Sequence, residues 1–253
     1  MKSIIFTLTM LLTLGLPAVS GAIGVELAVG GWYHEPNGTI SYKGLTSNDN
    51  LDLERDLKYD ADVRFMGRLK VDAPFPMPNI YLMATRMRFD GVGRKDVDFK
   101  FGDQTFNTDV DFTSKVVLDH YDIALYYGIP GIREASLGKV NLELGIDARV
   151  VDIEAEVSQS GIRETESFVL PVPMLYAGVQ ITPMNWLAFE AEFRGISIDS
   201  DHIWSVIGRV KFRPIKHAFF AAGWRHEDVD IDEDDVKADV QVTGPFAEVG
   251  LEL

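Results

Sequence analysis

Hydrophobic and polar residues alternate with a period of two along most of this chain. In the stretch 140–153, Val140, Leu142, Leu144, Ile146, Ala148 and Val150 fall on one face, and Asn141, Glu143, Gly145, Asp147 and Arg149 on the other. That period marks a β-strand, whose successive side chains point to opposite sides. Comparable stretches occur at 23–33, 59–71, 80–90, 118–128, 168–180, 186–198, 204–213, 218–227 and 240–253. The pattern predicts ten strands of the roughly ten residues that a tilted strand needs to cross hydrocarbon, against about five or six in soluble proteins. Connections beginning at Asp72, Ile129, Ile181 and Pro214 are short and rich in Pro or Gly, whereas those beginning at His34, Gly91, Glu154 and Asp228 are longer and polar. The link near Asp199 is short. The acidic stretch 91–117, with Asp96, Asp98, Asp109 and Asp111, is expected to form a hairpin that continues beyond the sheet.

An alternating strand suits a soluble sandwich, with its apolar side against a second sheet, or a membrane barrel, with its apolar side against lipid and its polar side against a lumen. Charge placement favours the barrel. Arg64, Arg68, Arg86, Arg88, Arg149, Arg194, Arg209 and Arg225 share the polar face with Glu26, Asp62, Asp122, Glu143, Asp147, Glu190, Glu192 and Glu248. The other face carries almost no charge in mid-strand. An Arg facing lipid at the midplane costs about 2 to 4 kcal/mol, which explains the segregation. On the third strand, Arg86 and Arg88 put the polar face with Ala84 and Asp90, leaving Tyr81, Met83, Thr85, Met87 and Phe89 outward. Aromatics near strand ends, namely Tyr33, Tyr59, Phe89, Tyr127, Trp186, Trp204, Phe212 and Trp224, fit interfacial girdles. The fold expected is all-β: a transmembrane antiparallel up-and-down β-barrel of ten strands, with eight as the alternative count and a periplasmic β-sandwich as the rival architecture.

The chain has 253 residues, no cysteine and a formal charge of −15. No apolar run of about 20 residues follows the N-terminal segment, which excludes a helical membrane protein. The acidic balance excludes a nucleic-acid partner, which needs clustered Lys and Arg. Residues 1–22 read as a secretory signal: Lys2 is the positive start, an apolar segment runs to Leu16, and Pro17 is followed by Ala18, Ser20, Gly21 and Ala22. Residues 23–253 are then the barrel, in the outer membrane of a bacterium with two membranes. Its expected partners are outer-membrane lipid and lipopolysaccharide, the barrel assembly machinery and a small-molecule solute.

Gly30-Gly31-Trp32, followed by Pro36-Asn37-Gly38-Thr39-Ile40, resembles the opening of a family of small outer-membrane barrels with a Gly-Gly pair in the first strand. That family is distantly similar to the OmpW-type barrels, and the resemblance implies passage of small, often hydrophobic, molecules. It brings no catalytic residues with it. The chain departs from the usual outer-membrane ending, since Leu253 stands where an aromatic is expected.

Three chemistries are weighed. The lumen charges line a narrow path or lock together as a salt-bridged plug; a ten-stranded barrel is only a little wider than an eight-stranded one, which side chains fill, and buried charges must be matched. This favours a constricted lumen. Asp228, Asp230 and Asp232 match the first ligand positions of a calcium loop, but Glu233 stands where glycine is required and Asp239 replaces the final Glu, so the motif fails. No metal or cofactor is expected. An omptin-like protease is suggested by Asp199-Ser200-Asp201-His202 with Asp109 and Asp111, yet the residue two before His202 is Ser200 rather than Asp. A lipid-modifying barrel needs an aligned His and Ser, and none stands out among His34, His120, His202, His217 and His226. The chain is therefore expected not to be an enzyme. The function expected is a narrow passive channel for small hydrophobic molecules, with a structural or surface-interaction barrel of plugged lumen as the alternative.

Overall fold

The computed structural model describes residues 23–233 and 235–253. The signal segment 1–22 lies outside the described residues. The chain forms β1 (Gly24–Tyr42), β2 (Leu51–Asp52), β3 (Asp62–Asp72), β4 (Asn79–Thr85), β5 (Arg88–Gly93), β6 (Phe99–Phe101), β7 (Gln104–Phe106), β8 (Phe112–Gly128), β9 (Val140–Gln159), β10 (Ile162–Met184), β11 (Leu187–Ile198), β12 (Asp201–Ile215), β13 (Ala218–Glu233) and β14 (Val236–Glu252). One short helix, α1 (Ile132–Ala135), sits in the β8–β9 connection.

Every pairing is antiparallel, and β14 returns to β1 with Leu27 opposite Leu251 and Trp32 opposite Phe246. The sheet closes as a ten-stranded up-and-down barrel in which β4 and β5, both paired to β8, are successive parts of one stave. Closure removes the unpaired edges that lipid would not tolerate. At the seam Gly30 does specific work: a Cβ there would lie 2.1 Å from the Ala247 carbonyl oxygen, so the first residue of the Gly-Gly pair is what lets β14 lie close against β1.

The outward face is apolar in a continuous band. Leu27, Phe65, Ile123, Ile146, Leu175, Phe189, Val210 and Val249 are all exposed on it. Tyr33, Tyr121 and Trp224 are exposed at one border of the band, and Tyr127, Trp186 and Phe212 at the other. Both ends of the described barrel, near Gly24 and Glu252, and the short turns lie at the second border, which is the periplasmic arrangement of outer-membrane barrels.

Beyond the first border the strands continue well past the expected lengths. The stretch expected as a polar loop from Glu154 to Ser167 is the paired end of β9 and β10, closed by a two-residue turn in which Ser160 (φ 50°) and Gly161 (φ 89°) are both left-handed. Likewise 34–42 belongs to β1, and Asp228 to Glu233 belong to β13. Above the membrane the outward face meets water, so a strand can carry charge there and still be a strand.

The same change of solvent corrects the third strand. Tyr81, Met83, Met87 and Phe89 point inward and are buried, whereas Arg86 is exposed on the outside and Arg88 pairs with Asp119 on the outer wall at 2.5 Å. Reading Arg86 and Arg88 as lumen residues assumed that charge always faces in; these two lie above the apolar band. Tyr59 and Phe89 are corrected too: they stack inside at 5.9 Å between centroids instead of joining a girdle.

Candidate functional site

The barrel interior has three levels. The middle level is ionic and buried. Arg68 donates Nη2 to Glu248 Oε1 at 2.7 Å and lies 2.5 Å from Glu26 Oε1 through Nη1. Arg209 donates Nη1 to Glu192 at 2.6 Å and to Glu190 at 3.0 Å. Lys211 bridges Glu190, Glu26 and Glu252 at 2.6, 2.8 and 3.1 Å. Arg194 reaches Glu192 at 3.1 Å and Asp147 at 3.9 Å, with its guanidinium over the rings of Tyr81 and Tyr176 at 4.7 and 5.2 Å. One step outward, Arg149 donates to Asp122 at 2.7 Å and faces Glu227 at 3.4 Å. Arg225 also pairs with Glu227, donates to Thr85 Oγ1 at 2.8 Å and stacks 4.4 Å from Trp32. Each cation thus meets carboxylates or aromatic faces, the condition under which buried charge is tolerated.

Towards the periplasm Glu143 accepts from Lys70 at 3.0 Å and from Tyr176 at 2.8 Å. It borders a polar vestibule of about 280 Å³ lined by Glu26, Asn141, Gln180, Arg213 and Glu252 among others.

The outer level inverts the chemistry. The inward positions of β9 run Asp147, Arg149, then Val151, Ile153 and Ala155; those of β8 run Asp122, His120, then Leu118 and Val116. Phe168 and Leu170 of β10 and Val229 and Ile231 of β13 complete an apolar cup of about 340 Å³ whose floor is His120, Arg149 and Glu227. On the outward side of the same stretch stand Asp152, Glu154 and Glu156. The inversion falls between Val150, which faces out, and Val151, which faces in.

Two connecting segments wall one side of the cup. The β1–β3 connection buries Leu51, Leu53 and Leu57, and the β6–β7 hairpin buries Phe99, Phe101 and Phe106 in the same cluster. Asp49 joins them. Burial pushes its carboxyl up, but the N–H groups of Lys100, Leu45 and Thr46, with the Thr46 hydroxyl, outweigh this and hold it below the usual aspartate range. Lys95 adds a second tie, donating to the Asn48 and Asn50 carbonyls at 2.6 and 2.5 Å and lying 3.4 Å from Asp56.

Of the residues chosen for the lumen, Glu26, Arg68, Asp122, Glu143, Asp147, Arg149, Glu190, Glu192, Arg194, Arg209, Arg225 and Glu248 come together in the ionic levels. Asp62 and Arg64 pair with each other at 3.0 Å at the end of β3, half exposed. Arg86 and Arg88 are outside, as described. Lys70, Lys211 and Glu227 complete the network and were not singled out, although they occupy the same alternate positions as their neighbours. The cup residues had no signal of their own, because each belongs to a stretch that looks like loop or lipid-facing strand.

The residues weighed for proteolysis do not converge. Asp109 and Asp111 pair with Arg94 at 3.5 and 3.6 Å, while His202 lies 3.2 Å from Asp228 on the outer wall. Asp228, Asp230 and Asp232 stand on one outward face of β13 and do not wrap around a point, as a calcium loop must. Among the described residues no cluster of His, Asp and Glu has the arrangement of a metal site.

No family model and no curated protein matches the chain. Among solved structures it is similar to the outer membrane protease OmpT from Escherichia coli, with 11% identity over 95% of this chain and 99% of that one and a TM-score of 0.50. It is also similar to the translocator domain of the autotransporter NalP from Neisseria meningitidis, with 9% identity over 99% and 95% of the two chains and a TM-score of 0.40. A third neighbour is Ail, the attachment invasion locus protein of Yersinia pestis, with 12% identity over 92% and 100% and a TM-score of 0.34. At such identities the likeness to OmpT carries the barrel fold alone, and that fold agrees with the closed, lipid-faced sheet described above.

Proposed function

We propose that this protein is a bacterial outer-membrane barrel that takes a small, uncharged, apolar molecule into its extracellular cup, above a floor closed to water. The reading rests on the switch inside the barrel from ion pairs to aliphatic and aromatic side chains. Apolar lining with a few polar groups at one end is the usual character of a small-molecule site, and about 340 Å³ lies at the small end of the range. The floor residues His120 and Arg149 each lie 3.4 Å from Glu227, so the aliphatic and aromatic wall is the larger part of what a ligand meets.

The ionic level supports the narrower reading of a barrel that binds over one that conducts. The side chains of Arg68, Arg209, Lys211 and Arg225 are 0% exposed and set among carboxylates, which supports a constricted passage at this level. The exposure of Arg86 just above the apolar band supports a reading in which lipopolysaccharide phosphates are a partner of the outer rim. No catalytic centre is assigned. The test is titration of the purified protein in liposomes with N-phenylnaphthylamine, an uncharged fluorophore. Saturable binding lost in Ile153→Glu supports the cup, and partition into liposomes unaffected by the protein refutes it. A purely structural or surface-interaction barrel, supported by the same ionic floor, predicts that second result.

A further inference from the structure

Between β10 and β11 the ladder of the barrel wall is incomplete. Pairing between β10 and β11 ends at Leu175 opposite Gly195, although β10 continues outward to Ile162 and β11 to Ile198. Two prolines and the end of β11 at Ile198 account for this. The Ile129 N–H donates to the Leu142 carbonyl and the Thr182 N–H to the Lys139 carbonyl. Even-numbered residues of β9 therefore bond towards β8, and its odd-numbered residues exchange bonds with even-numbered residues of β10. Odd-numbered residues of β10 point their backbone groups at β11. The next bonded pair after Leu175 and Gly195 would place Pro173 opposite Ser197, and the one after would need Pro171. Neither has an N–H to give.

The gap has a defined height. Pairing carries Tyr121 of β8 across to Val150 and Pro171, and carries Trp204 of β12 across to Gly195 and Leu175. Tyr121 and Trp204 both stand in the outer ring of aromatics, and barrel strands are tilted, so the ring crosses β10 between those positions, at Pro173. The gap opens there, at the lipid–water interface, and extends outward. Behind it lies the cup: Phe168 and Leu170 of β10 line it beside the gap, and the next lining residue across the gap is Ile203 of β12, one strand beyond β11. Phe168 faces the interior yet is 40% exposed.

We propose that the cup is loaded sideways, between β10 and β11, by an apolar molecule already dissolved in the outer leaflet. The proposal rests on the reading of the cup as an apolar-ligand site and adds the source of the ligand. A strand partner is a poorer occupant of the gap, because the edge offers no donors at 171 and 173. A bulk-water source would need no opening at the height of the lipid surface.

The chain has no cysteine, so Pro173→Cys with Ser197→Cys makes the only thiol pair, and a reducible bis-maleimide can bridge it. In proteoliposomes preloaded with N-phenylnaphthylamine in the bilayer, bridging is expected to slow occupation of the cup at least tenfold, leave the equilibrium affinity unchanged, and be reversed by reductant. An equal rate in bridged and reduced protein overturns the lateral route while leaving the cup intact; no saturable binding in the unmodified protein overturns the cup itself. Pro171→Thr/Pro173→Thr, which restores two donors and lets the strands pair, is expected to slow loading without any cross-link, and a rate equal to that of the unmodified protein counts against the proposal. Probe added from water to lipid-free, detergent-held protein should be indifferent to the bridge; slowing there to the same degree overturns the leaflet as the source.

Discussion

Replacing Glu248 by glutamine tests whether the middle of the barrel is dry. The Glu248 side chain is 1% exposed and faces two guanidinium groups that are 0% exposed. Arg68 donates to it through Nη2 at 2.7 Å and Nε at 3.1 Å, and Arg209 Nε lies 3.7 Å away. Glutamine keeps the volume and one acceptor but removes the charge. Breaking a buried pair by neutralising one partner costs about 3 to 5 kcal/mol. Arg68 keeps Glu26, and Arg209 keeps Glu190 and Glu192, so the lower end, about 3 kcal/mol, is expected. With a urea slope of about 1 to 3 kcal/mol per molar, the unfolding midpoint of the barrel in liposomes, followed by heat-modifiable migration, should fall by about 1 to 3 M. In a water-filled lumen the same pair would be worth about 0 to 1 kcal/mol. A drop in stability below about 1 kcal/mol would mean that solvent reaches Glu248 and that the floor is not closed. A cycle with Arg68→Met and Glu248→Met isolates the pair term, expected at about 1 to 3 kcal/mol.

The other predictions concern the remaining levels. Planar bilayers holding the unmodified protein should show no discrete conductance steps, and Arg209→Ala combined with Glu192→Ala should introduce them; steps in the unmodified protein would contradict the closed floor. Ile153→Glu should weaken N-phenylnaphthylamine binding at least tenfold with little change in the urea midpoint, because the new carboxylate sits in the cup wall and not in the ionic level. Asp49→Ala should release the β1–β3 connection, read as faster trypsin cleavage at Arg55 and Lys58 with the barrel still heat-modifiable. The pH dependence of that docking follows from the sign of the shift: the folded carboxyl of Asp49 is held below the usual aspartate range, so its contribution is fully present above that range and is lost as pH falls through the lowered value. Cleavage that rises between pH 8 and 6 would contradict the assignment.

The barrel was legible in the sequence because lipid enforces a rule that period-two alternation displays directly. Leu144, Ile146 and Ala148 face out and Glu143, Asp147 and Arg149 face in because no other arrangement survives in hydrocarbon. The outer level was not legible from that rule, since water replaces lipid on the outside and the interior must then be filled by something else. The side that each position faces does not change along β9, but the polarity found there does, and Val150-Val151 is the only local mark of the crossing. Reading Glu154 and Glu156 as a loop, or Arg86 and Arg88 as lumen, extends the lipid rule past the lipid. The two-residue turn at Ser160-Gly161 is a hairpin signal that identifies the extension once a second solvent is considered.

That switch also bears on how anything can pass. A molecule crossing along the barrel axis would have to separate Arg68 from Glu248, Arg209 from Glu192 and Arg149 from Asp122 in succession, and each separation leaves a charge without a partner in a medium that cannot solvate it. An apolar molecule has nothing to offer those groups in exchange. It loses nothing in the cup, where Val151, Ile153 and Leu170 replace the acyl chains it came from. The ladder between cup and leaflet is interrupted between β10 and β11, where Pro171 and Pro173 withhold donors. The easiest path in this barrel therefore runs across its wall, with the ionic level as the stop beneath it.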